Sequence, residues 1–215
     1  MAIICVGASK GGVGKSTLVV NLAAMGATKN KRVLIVDTDP QGSAMCFRSL
    51  RGGDDIKATS HTEPRIHKKI SAYRDQFDLI IIDAGGRDDS VLRSAIAASD
   101  LFLLPVLPGQ FDLWGATDTI KAFTEVRAFC PDLQGRLVVN QIDPVTRVTQ
   151  KSMKALRLLE KEMPLLRFGI GRRVAFKASV EEGRGVVESE PQGKAAIEIR
   201  YLYNESLKII GGARK

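Results

Sequence analysis

The sequence predicts an α/β fold in which a mostly parallel, twisted sheet is flanked by helices on both faces. Three observations carry this. The runs Ala2–Val6, Arg32–Val36, Phe77–Ile82, Leu101–Val106 and Leu137–Ile142 read as about five strands, too continuously apolar to leave one face in water. Segments of helical period, among them Ser16–Thr28, Leu113–Phe129 and Thr149–Met163, separate these strands. A glycine-rich loop joins the first strand to the first helix. Strands alternating with helices make a parallel sheet with helices packed on it.

The remaining elements follow in chain order. Arg51–Pro64 is polar and aperiodic and reads as a loop with room for one short edge strand. Pro191–Ile210 reads as a last helix, with a frayed basic end after Gly211. There is no internal repeat and no linker, and 215 residues suit one domain spanning 1–215 better than two.

Composition bounds the function classes. With 44% hydrophobic and 26% charged residues, the chain can bury a core and is neither disordered nor fibrous. It has no apolar run of the roughly 20 residues that cross a bilayer and no leader-like start, so a cytoplasmic location is expected. Cys5, Cys46 and Cys130 are too few and too scattered for a disulfide framework or a CxxC site, and read as reduced, mostly buried thiols. His61 and His67 read as solvated surface residues. The net charge of +8 is uneven: from Pro144 onward 15 Lys and Arg face 8 acids, against 17 and 16 before it. A basic last third suggests a polyanionic partner.

The chemistry lies in three strand ends. Lys10–Ser16, KGGVGKS, sits between the first strand and the first helix, where a phosphate-binding loop belongs. Glycines let the backbone wrap phosphate oxygens, and the amides of a helix N-terminus favour negative charge. Gly11, Gly12, Val13, Gly14, Lys15, Ser16 and Thr17 are therefore the nucleotide-contacting run. Lys15 is expected on the β- and γ-phosphates and the Ser16 hydroxyl on magnesium. The strict motif asks for glycine where this chain has Ser9.

Asp37 and Asp39 follow the second strand in VDTDPQGS, and Asp83 follows the third in FDLIIIDAGG. Ligands of open parallel sheets bind beyond the carboxyl ends of strands, so one edge receives the lysine loop and the aspartates. Asp83 is expected to hold magnesium through a water. Phosphoryl transfer asks mainly for positioning, so Asp39 needs only to orient the attacking water. Asp88 and Asp89 read as helix caps.

Together with LLPVLPGQFDLWG and LVVNQID, these motifs resemble the ParA and MinD group of P-loop ATPases in order and approximate spacing, over most of the chain. The resemblance is closest to the short, plasmid-type ParA partition proteins. It implies a P-loop NTPase fold, ATP and Mg2+ as cofactors, and an ATP-bound sandwich dimer in which Lys10 crosses to the partner's nucleotide. It further implies that Asp37 assists the magnesium shell, that Asp39 is the water-positioning acid and that Asn140 contacts adenine. The chain departs from many relatives after Asp83, where Ala84, Gly85, Gly86 and Arg87 stand in place of two prolines, and the sequence gives Arg87 no role.

The function this implies is a DNA-segregation ATPase: a nucleoid-associated ATP dimer that binds DNA without sequence preference until a ParB-like partner triggers hydrolysis. Arg167, Arg172, Arg173, Lys177, Arg184 and Arg200, with Arg214 and Lys215, are the candidate DNA contacts. The same machinery serves the positioning of other cargo. A membrane-recruited MinD-like regulator is the competing class, resting on Tyr201, Leu202, Leu207, Ile209 and Ile210 in the last helix. Core packing of that helix is the preferred reading. The cysteine pair of iron-sulfur carrier relatives is absent, and a metabolic kinase is a minor alternative.

Overall fold

The computed structural model describes residues 1–143, 157 and 159–213. Among these, six strands form one sheet: β1 (Ala2–Gly7), β2 (Val33–Asp37), β3 (Ile56–Ser60), β4 (Leu79–Ala84), β5 (Leu101–Val106) and β6 (Gln134–Val139). The order is β3-β2-β4-β1-β5-β6, and every pairing is parallel. The expected five strands are present, and the edge strand allowed for in Arg51–Pro64 is β3. Only Ile56 of β3 is buried, which is why its sequence shows no apolar run.

All residues of β1, β2, β4 and β5 are buried, as strands covered on both faces must be. Alternate side chains enter two cores. Ile4 and Val6 of β1 and Leu79 and Ile81 of β4 join α1 (Lys15–Ala27) and the C-terminal helices on one face. Ile3, Cys5, Ile80 and Ile82 join α3 (Ile66–Ser71), α4 (Asp89–Ala97) and α5 (Gln110–Arg127) on the other. Three further helices, α6 (Val174–Glu181), α7 (Val186–Ser189) and α8 (Lys194–Ala213), follow the sheet in sequence, and α2 (Ser43–Leu50) follows β2.

The last helix is core-facing. Ala195, Ile199, Leu202, Tyr203 and Ile210 of α8 are buried, and Leu207 and Ile209 pack against the same cluster, leaving Tyr201 exposed. No helix among the described residues is long and apolar enough to cross a membrane. The expected helix Thr149–Met163 lies largely outside the described residues, as do Arg214 and Lys215.

One smaller expectation changes. Cys5 is buried, but Cys46 is exposed and Cys130 half-buried, because Cys46 lies on the outer face of α2. His67 is exposed, as expected, and His61 is half-buried; His61 Nε2 lies 3.1 Å from the Tyr73 hydroxyl, and His67 Nδ1 lies 3.1 Å from Ser94 Oγ.

Candidate nucleotide site

The site is built at the carboxyl edge of the central strands. β1 lies between β4 and β5; the chain runs from β1 to β2 on one side and later crosses from β4 to β5 on the other, a reversal of strand order of the kind where open α/β sheets take ligands. Register aligns the pieces: Asp83 pairs with Val6 on β1 and with Asp37 on β2. The end of β2 is further tied to β4, since the amide and hydroxyl of Thr38 both donate to the Asp83 carbonyl at 2.9 and 3.0 Å.

The loop after β1 needs its glycines. Gly12 and Gly14 have φ of 76° and 89°, a region costly for side chains, and a Cβ on Gly14 would lie 2.3 Å from Asn140 Nδ2. Gly14 ends the loop as the N-cap of α1, so the amides of Lys15 and Ser16 open the helix facing the cavity. Lys15 is nearly buried, and its ammonium donates to the Lys10 carbonyl at 3.2 Å. Ser9, where the strict motif has glycine, anchors the loop instead: its amide and hydroxyl meet Thr119 Oγ1 at 3.1 and 3.0 Å, and its hydroxyl donates to Gly115 O at 3.0 Å. The serine clips the loop to α5 and leaves the cradle to Gly11–Gly14.

A cavity of about 430 Å³ opens over this loop, lined by Gly12, Lys15, Ser16, Asp39, Arg87 and Gln141 among others. The aspartates divide the work. Asp37 Oδ1 accepts the amide of Asp39 at 3.0 Å, and Oδ2 accepts those of Ala44 and Met45 at 3.0 and 3.2 Å. Its carboxylate therefore holds the loop and the start of α2, which fixes Asp39; both Asp37 and Asp83 lie behind the residues that line the cavity. Asp39 reaches the cavity and accepts the Gln41 amide through Oδ1 at 3.0 Å. Asp88 caps α4, taking the amides of Ser90 and Val91, while Asp89 pairs with Arg93.

Asp83 is the unpaired charge. Both carboxylate oxygens are buried, and no protein donor meets either in hydrogen-bond geometry. Burial pushes its pKa up to about 7; the Ser16 hydroxyl and Lys15 beside it pull down, while Asp37 and Asp39 push up. Burial also raises Asp37, partly offset by the amides it accepts. An orphaned buried carboxylate beside a serine hydroxyl is a hard-oxygen donor set that fits magnesium, reached directly or through water. Its cost without a cation is what a bound cation would remove.

A second cavity of about 450 Å³ continues from Gly14 and Thr17, walled by Leu18, Ile170, Phe176 and Val180. Apolar walls next to a phosphate loop suit a nucleotide base. Asn140 borders it, yet its side chain is committed to the loop: Nδ2 donates to Val13 O at 2.8 Å and Oδ1 accepts the Gln141 amide at 2.9 Å. Gln141, in a left-handed conformation with φ 54°, adds a bond from Nε2 to Gly12 O at 3.2 Å. The end of β6 thus braces the phosphate loop.

The family described as the CobQ/CobB/MinD/ParA nucleotide binding domain matches residues 4–186, most of the chain. The chain belongs to the ParA/MinD family of P-loop ATPases. A relative in that family, the maintenance of carboxysome distribution protein A of Halothiobacillus neapolitanus, is 30% identical over 203 residues, 91% of this chain and 92% of that protein. The chromosome-partitioning ATPase Soj of Thermus thermophilus is 29% identical over 231 residues, 91% of each. The septum site-determining protein MinD of Pyrococcus horikoshii, solved with Mg-ADP, has the same fold, with a TM-score of 0.75 at 17% identity over 99% of this chain and 98% of that one.

In this ParA/MinD chain the expected phosphate residues converge, but the basic candidates do not gather in one place. Arg172, Arg173 and Lys177 line the base-sized cavity, with Arg173 paired to Glu198 at 2.5 Å. Arg167 lies elsewhere, in a cavity with Arg136, Tyr201 and Lys208 at the β6 edge. Arg184 donates to Glu188 O at 2.8 Å and Arg200 to Pro191 O at 2.5 Å. Sequence reasoning missed Arg87 and Gln141 as cavity residues; their signals were adjacency to Asp83 and to Asn140.

Proposed function

We propose that this chain is an ATP-driven switch that partitions DNA or positions another large cargo on DNA. The ATP-bound form dimerises and holds DNA without reading sequence, and a ParB-like or cargo-adaptor partner stimulates hydrolysis. The observation that carries the reading is the Lys15–Asp39–Asp83 site in a chain whose full-length relatives are named for carboxysome distribution and chromosome partitioning.

The residues supply the steps. The amides after Gly14 and the Lys15 ammonium hold the β- and γ-phosphates, and Asp39, fixed by Asp37, orients the attacking water. Ser16 and Asp83 would hold magnesium, which when bound neutralises phosphate charge. Lys10 is assigned to the partner's nucleotide in the dimer, where it would add positive charge only once two subunits meet. Asn140 acts on the base side chiefly by bracing Val13.

DNA is favoured over a membrane because most apolar residues of α8 face the core, with Ile197 and Tyr201 left exposed. Of the basic candidates, Arg167 with its neighbours Arg136 and Lys208 is the cleanest group to test, since Arg172, Arg173 and Lys177 border the nucleotide. Fluorescence anisotropy on two unrelated duplexes across a salt series tests the reading. Binding to both with ATP, falling steeply as salt rises, is expected; no binding with ATP, or binding to one duplex only, would refute it.

A further inference from the structure

The segment after β4 places one arginine in the phosphate cavity and leaves its side chain unused. Gly86 lies flat on the phosphate loop: a Cβ there would come within 2.3 Å of Ser9 Cα and 2.5 Å of the carbonyls of Ala8 and Ser9. Those are backbone atoms, so only glycine allows this approach. Two residues on, Asp88 is fixed as the N-cap of α4 through Ser90 and Val91. Arg87 is the single residue between these anchors.

Its backbone is therefore held at both ends while its side chain is exposed and lines the cavity with Lys15 and Asp39. Arg32, Arg48, Arg51, Arg93 and Arg173 all pair with carboxylates, but Arg87 makes no hydrogen bond or ion pair among the described residues. Of the described residues lining this cavity, two are cationic, Lys15 and Arg87. Lys10 is not among them; its side chain runs beside Gly115 of α5.

We infer that Arg87 is a catalytic residue acting within its own subunit, its guanidinium contacting the terminal phosphoryl group of ATP. In hydrolysis a water oxygen forms the new bond to the γ-phosphorus while the bond to the β–γ bridging oxygen breaks. The electron pair leaves on ADP, and the water's protons pass to the released phosphate and to solvent. Charge shifts toward the bridging and equatorial oxygens in between. A planar guanidinium bonds two such oxygens at once, and an arginine so placed acts on the transition state more than on the bound nucleotide. The Ala-Gly-Gly sequence after Asp83 is then the means by which the arginine is delivered: small residues bring the chain onto the phosphate loop, and Arg87 points over it. This rests on the ATPase site and is independent of any DNA partner.

The test is Arg87→Ala and Arg87→Lys, each measured for single-turnover hydrolysis and for affinity toward Mg-ADP, Mg-ATP and Mg-ADP with aluminium fluoride, a stand-in for the transferring phosphoryl group. For Arg87→Ala, unchanged Mg-ADP affinity and melting temperature are expected, with a loss on the order of 100-fold or more in hydrolysis and a matching loss in aluminium fluoride trapping. Arg87→Lys should fall between, keeping charge without the fork. Hydrolysis and trapping within about twofold of the wild type would make Arg87 a surface arginine. An equal loss of Mg-ADP affinity, or a loss of fold, would make it structural, and either result overturns the inference.

Discussion

Asp37 and Asp83 are register partners on β2 and β4, two fully buried carboxylates at the same sheet edge, and their surroundings differ sharply. Asp37 accepts three backbone amides, whereas Asp83 has the Ser16 hydroxyl beside it but no donor in good hydrogen-bond geometry. One aspartate is spent on building the loop that carries Asp39. The other is left buried without a well-placed donor, a setting that a bound cation would relieve.

Stability without magnesium should therefore depend on Asp83 and on pH. Its folded pKa, about 7, lies above the unfolded value near 4, so the folded state holds the extra proton between them. The cost of Asp83 grows as pH rises through that window and levels off above it; Asp37, also raised, acts in the same direction. Asp83→Asn should stabilise the metal-free protein by about 2 kcal/mol at pH 8 and by little at pH 4. Urea unfolding in a chelator at both pH values checks this, and an equal effect at the two would remove the burial argument.

Lys15→Ala should abolish tight nucleotide binding, because the nearly buried ammonium is the cation held against the loop at Lys10 O. Calorimetry with Mg-ATP decides it. Near-wild-type affinity would move the phosphates away from this loop.

Gly86→Ala should destabilise the protein by about 1–3 kcal/mol, since the methyl group meets Ser9 backbone that cannot turn aside. Gly85→Ala meets Asp39 and no other residue so closely, at 2.9 Å from Cγ and 3.0 Å from Cβ, so Asp39 must shift. It should leave stability closer to wild type and slow hydrolysis instead, by displacing Asp39. Thermal melts beside turnover rates separate the pair; the reverse ranking would contradict the packing.

The strand ends were legible in the sequence because they depend on local pattern. Apolar runs ending in Asp37 and Asp83, and glycines spaced around Lys15, each state their role within about ten residues of chain. What escaped depends on contacts between distant segments. Arg87 enters the cavity only because Gly86 rests on Ser9, and Gln141 because β6 ends beside Gly12. That Asp37 also anchors the loop, through the amides of Asp39, Ala44 and Met45, depends on the fold of that loop onto α2 and not on a local pattern. The basic residues of the last third were counted correctly, but sequence proximity could not show that Arg173 faces Glu198 while Arg167 lies in another cavity.

Lys10→Ala separates monomer from dimer chemistry. Mg-ATP binding by the monomer should persist, while ATP-dependent dimerisation and turnover fall, because the proposed target of Lys10 is the partner's phosphates. Light scattering and turnover together give the answer, and normal dimers with normal hydrolysis would leave Lys10 as a loop residue beside Gly115.

Control of DNA binding by nucleotide state is read out by co-sedimentation with nonspecific DNA in ATP, in ADP and without nucleotide. Wild type, Asp39→Ala and Lys15→Ala are compared. Wild type should sediment with ATP only, Asp39→Ala should be retained longer because the water is no longer oriented, and Lys15→Ala should not sediment. Sedimentation that ignores nucleotide, or its absence with ATP in wild type and Asp39→Ala alike, would contradict such control.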